Sequence, residues 1–94
     1  MELEKTLKET LAIIQWVDAP MSVDVIENSD KSICSIRFSG YASDSMWATL
    51  MAALSHAQRQ GLYVKVSRFP TWIVLRVPGL TREVAEKMLS ELSD

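Results

Sequence analysis

The chain of 94 residues has one cysteine, one histidine, three glycines and three prolines, and each scarcity removes a class of chemistry. A lone cysteine, Cys34, excludes an internal disulfide and any zinc site built on several thiolates. Set among alternating apolar residues, it reads as a small buried hydrophobe rather than a reactive thiol. The histidine, His56, stands between Ser55 and Ala57, and its local sequence supplies neither the nucleophile nor the orienting partner that a general base needs. A surface position is expected for it. The glycines Gly40, Gly61 and Gly79 each fall where a periodic segment ends, so no glycine-rich loop is available to cradle phosphates. Nucleotide, metal and other cofactors are therefore unsupported, and no catalytic residue is assigned.

Long apolar runs are also missing. None approaches the ~18 residues of a membrane span, and the segment from Met1 to Lys5 is charged, without the apolar stretch and small-residue cleavage site of a signal peptide. A cytoplasmic protein with no membrane association is the expectation. Charge of one sign is scarce as well: 12 acidic against 10 basic residues leave a net −2. That is too little for the whole molecule to attract or imitate a polyanion, so any electrostatic role belongs to a local patch.

What is present suits one core. Hydrophobic residues make up 48 % and charged residues 23 %, near the averages for globular domains. Residues 1–94 are expected to form a single domain.

Leu3, Leu7, Leu11 and Ile14 recur at helical spacing between Glu4, Lys5, Lys8 and Glu9, which predicts an amphipathic helix over 1–17. Ile13 and Trp16 widen its apolar face, and Pro20 closes it. From Ser22 the period becomes two. Val23 and Val25 alternate with polar residues, a polar turn follows from Glu27 to Lys31, and Cys34, Ile36 and Phe38 alternate in turn, which is the pattern of a hairpin. Beyond Gly40, Ser43 is placed to cap a helix with Asp44 in its first turn and Met46, Leu50, Ala53, Leu54 and Ala57 along one face. Gly61 suits a left-handed C-terminal cap.

The same order then repeats. Val64 and Val66 flank Lys65, Phe69 and Pro70 make a turn, a strand runs from Trp72 to Val77, and Gly79 ends it. Thr81 can cap a last helix, with Leu80 as its hydrophobic staple and Val84, Ala85, Met88, Leu89 and Leu92 as its apolar face. Val23-Asp24-Val25 aligns with Val64-Lys65-Val66, and Ile36-Arg37-Phe38-Ser39-Gly40 with Leu75-Arg76-Val77-Pro78-Gly79. An internal repeat is thus expected, with strand–strand–helix units at 22–60 and 62–93. One such unit cannot bury its own sheet face. The predicted fold is α+β: an N-terminal helix followed by two ββα units whose strands form a four-stranded antiparallel sheet with helices packed on it.

Alternation divides that sheet into two faces. One is apolar; the other carries Asp24, Ile26, Ile33, Ser35, Arg37, Tyr63, Lys65, Trp72, Val74 and Arg76. Tyr63 and Trp72 beside Arg37, Lys65 and Arg76 could stack bases and hold phosphates, as sheet platforms for single-stranded nucleic acid do. The competing expectation, preferred because Trp72, Val74, Ile26 and Ile33 favour burial, is that the first helix lies across this face while the arginines reach its edge. The Leu3-Leu7-Leu11-Ile14 stripe of the first helix could otherwise pair with its twin in a second chain, and because it spans only about two heptads, Trp47 and Met51, flanking the buried stripe of the middle helix, would suit the added contact such a dimer needs. Asp44 and Ser45 read as capping chemistry, and Glu83 and Glu86 beside Arg82 and Lys87 as a solvated helix face.

These readings lead to a small non-enzymatic protein-binding domain, an adaptor, inhibitor or complex subunit, with itself in a homodimer as one candidate partner. The alternative is a nucleic-acid-binding module using the face with Arg37, Tyr63, Lys65, Trp72 and Arg76.

Overall fold

In the computed structural model residues 2–17 and 21–92 are described, apart from the side chains of Glu2 and Trp16. Closure of the first helix at Pro20, and the contribution of Trp16 to its apolar face, lie outside the described residues. The elements follow the order α1 (Glu2–Trp16), β1 (Met21–Glu27), β2 (Cys34–Gly40), α2 (Asp44–Arg59), β3 (Tyr63–Arg68), β4 (Thr71–Arg76) and α3 (Arg82–Leu92). The four strands make one antiparallel sheet in the order β1-β2-β4-β3. This is the expected α+β architecture, and exchanging one hairpin for the other leaves the strand order unchanged.

Local chemistry sets the element ends. Ser43 takes extended backbone and its hydroxyl accepts from the Met46 amide, starting α2. At the other end Gly61 adopts φ +100°, the Leu62 amide donates to the Ala57 carbonyl and the Gly61 amide to the Gln58 carbonyl. That pair of bonds is a Schellman cap, and it needs a residue tolerant of the left-handed region. Thr81 Oγ1 accepts from the Val84 amide at 3.2 Å, as its position before α3 predicts.

All three helices share one side of the sheet. Leu7, Leu11 and Ile14 of α1 are buried in the same cluster as Ile36, Phe38, Ile73 and Leu75 of the central strands and Leu50, Leu54 and Met88 of α2 and α3. α1 packs on α2 and α3, α2 on β3, and α3 on β1. The expectation that the first helix covers the mixed sheet face is therefore overturned. The reason is the width of the stripe: Leu7, Leu11 and Ile14 fill the space left between the two sheet-covering helices, where they meet a wholly apolar layer. The mixed face with Arg37 and Lys65 would have required burying charge.

With Leu7, Leu11 and Ile14 buried in the core, the α1 stripe is not available to pair with a second chain. Three further expectations change at the margins. Ile13 is exposed rather than a widening of the apolar face of α1. Val84 is exposed rather than part of the buried face of α3. Val23 lies on the helix side of the sheet, but its place on an edge strand leaves it open to solvent.

Candidate binding surface on the open sheet face

Pairing registers place three side chains from each strand on the uncovered side. One row across the sheet is Asp24, Arg37, Val74 and Lys65; a second is Ser22, Ser39, Trp72 and Ser67. At the far end Ile26 faces Ser35, and Arg76 faces Tyr63. Arg37, Ser39, Lys65, Trp72, Val74 and Arg76 together line a shallow hollow of about 330 Å³. The structure thus brings Arg37, Tyr63, Lys65, Trp72 and Arg76 onto one continuous surface. Ile33 stands just before β2 and belongs to the end of the sheet rather than to this array.

The charges on this face are unequal: Arg37, Lys65 and Arg76 against Asp24. Arg37 and Asp24 approach to 3.7 Å with both side chains about half exposed, so their pairing is loose and contributes little to stability. The Arg76 guanidinium lies 3.9 Å from the centroid of the Tyr63 ring. Its Nε is buried and has no hydrogen-bond partner among the described residues, so the contact with the Tyr63 ring is the interaction that accompanies its burial. Trp72 sits between Ser39 and Ser67 on the neighbouring strands, and such small neighbours leave the indole partly uncovered.

Trp47 and Met51 do not join this face. Both are half-buried and pack against the core from α2. Trp47 instead belongs to an aromatic group at the β3–β4 turn, where the Arg68 guanidinium lies 5.2 Å from the ring centroids of both Trp47 and Phe69 and pairs with Asp44. Phe69 is 87 % exposed and Tyr41, at the same end of the sheet, 67 %. In the sequence the pair Phe69-Pro70 marks a turn but not an exposed aromatic side chain. A large aromatic side chain in a two-residue turn was the available signal.

The opposite end of the sheet holds a pocket of about 190 Å³, lined by Ile33, Cys34, Tyr63, Arg76 and the 77–80 segment. Cys34 is 5 % exposed. Burial pushes its thiol pKa up, with Glu27 adding to the effect, which makes it a poor nucleophile at neutral pH. His56 is exposed on α2. Among the described residues no three His, Cys, Asp or Glu side chains are grouped to hold a metal ion, and no helix is long and apolar enough to cross a membrane. Comparison with protein-family models, curated proteins and solved structures finds no match to this chain.

Proposed function

We propose that this chain is a non-enzymatic protein-binding domain of the cytoplasm and that its working surface is the bare sheet face. The observation that carries the reading is the placement of all three helices on one side, which leaves Trp72, Val74, Ile26 and Tyr63 facing outward beside charged residues. A partly aromatic, partly charged surface with arginine and tryptophan near its middle has the composition of an interface centre. The face is flat rather than enclosed, which suits a macromolecular partner better than a small substrate. The matching order of the two hairpins supports an origin by duplication.

The test is retrieval from the native host with tagged wild-type chain and with an Arg37→Ala, Trp72→Ala variant, followed by reconstitution with the purified candidate. A partner that binds the wild type directly and is lost by the variant supports the reading. A partner that binds both equally moves the interface elsewhere, and the proposal fails.

A second reading, single-stranded nucleic acid on the same face, is favoured by one observation: three cations stand against one carboxylate there, on a molecule whose net charge is −2. Gel-shift measurements with single-stranded RNA and DNA at two salt concentrations decide it. Salt-sensitive binding that disappears in Arg37→Ala, Arg76→Ala promotes this reading, and absence of binding at micromolar protein removes it.

A further inference from the structure

The two edges of the sheet differ. An edge strand offers unpaired backbone groups to another chain, and proteins that stay monomeric obstruct them. β1 is obstructed: Arg82 of α3 donates from Nη2 to the Val25 carbonyl at 3.1 Å and from Nε to Glu27 at 2.7 Å. On β3 the described residues offer no comparable cap. Thr71 Oγ1 does bond the Arg68 carbonyl, but within the hairpin turn.

The ends of β3 differ too. Beyond Arg68 projects Phe69, 87 % exposed. At the Tyr63 end lies the pocket of about 190 Å³, walled by Tyr63, Ile33, Val77, Pro78 and Leu80 with Arg76 beside them. An apolar cavity of about 150 Å³ accepts benzene, so this pocket has room for a phenyl ring, and the Arg76 guanidinium supplies a cation beside it. The strand spans six residues, roughly 20 Å at about 3.3 Å each, so no chain can seat its own Phe69 there. A second chain running antiparallel can.

We propose that β3 pairs antiparallel with β3 of a second copy, with Val66 on the two-fold axis and each Phe69 seated at the other copy's Tyr63 pocket. Register follows from side-chain direction and charge. Residues opposite one another across an antiparallel pair share a face. An axis at Lys65 would satisfy this but set two lysines against each other, which is unfavourable. An axis at Val66 places Val66 against Val66, Lys65 against Ser67, Val64 against Arg68 and Tyr63 against Phe69. Both helix layers then lie on the same side, and the two bare faces merge into one eight-stranded surface. This deepens the protein-binding reading by naming the chain itself as a partner, and it uses the sheet edge rather than the sheet face.

Sedimentation and light scattering at high micromolar protein test it first. The expected mass is twice the 10.6 kDa of the chain, and Phe69→Ser, which alters an exposed residue, is expected to weaken the dimer about tenfold with an unchanged circular dichroism spectrum. Disulfide trapping tests the register. In a Cys34→Ala background, Lys65→Cys with Ser67→Cys is expected to give a linked dimer on mild oxidation, and Lys65→Cys alone is not. A monomer at all concentrations overturns the proposal while leaving the partner reading intact. A dimer that ignores Phe69→Ser and resists the double-cysteine trap, or one that links through Lys65→Cys alone, overturns it equally.

Discussion

Ser43, Gly61 and Cys34 each perform a local task that a few neighbouring residues define. Replacing Ser43 by alanine removes the acceptor of the Met46 amide and is expected to destabilise the fold by about 1 kcal/mol in denaturant unfolding. Gly61→Ala is expected to cost about 1 kcal/mol through its left-handed backbone alone, since an added Cβ would meet the Leu3 side chain only at ordinary contact distance, 3.5 Å; Gly61→Asn should cost less. Cys34 is expected to react slowly with alkylating reagents in the native state. The onset of that reaction should lie above the usual thiol range because burial disfavours the thiolate. Denaturant should abolish both the slowness and the shift, and equal rates for folded and unfolded chain would show that the thiol is not buried. These residues were legible because capping and alternation are short-range. Phe69 was not, because the exposure of a turn residue depends on what the rest of the chain brings near it.

At the level of elements, α1 shows how far periodicity reaches. Its stripe of Leu3, Leu7, Leu11 and Ile14 announces a helix with one buried side, and Leu7 and Leu11 are indeed fully buried. Periodicity carries no information about which layer receives that side. Leu7→Ala is expected to cost about 2–5 kcal/mol, the range for a large-to-small change in a packed core; a loss well under 1 kcal/mol would place α1 outside the core. The sheet edges make a similar point. Arg82 and Glu86 read in sequence as an ordinary solvated pair at helical spacing, and they do form one at 3.3 Å. The same arginine also reaches Glu27 and the Val25 carbonyl, more than fifty residues away. Arg82→Ala is expected to speed hydrogen exchange of β1 amides while leaving those of β4 unchanged.

For the whole molecule, the decisive quantity is the area of the uncovered face. Four strands about 4.8 Å apart and roughly 20 Å long give one copy a platform of roughly 400 Å², about half of what one partner contributes to a standard interface. Pairing across β3 would double it. The proposed dimer and the proposed working face would thus be connected: a variant that separates the copies is also expected to weaken partner binding, which titration of the purified partner against Phe69→Ser would measure. The sequence by itself determined the order of the elements, the capped ends of α2 and α3, the burial of Cys34 and the sheet-face membership of the strand residues, Ile33 excepted, because hydrophobic period and capping act within a few residues. Tertiary structure alone decided that α1 joins the helix layer, that among the described residues no element covers the other face, and that Phe69 and the Tyr63 pocket stand at opposite ends of β3. Those outcomes depend on which apolar surfaces meet, and segments far apart in the chain settle that only when they pack together.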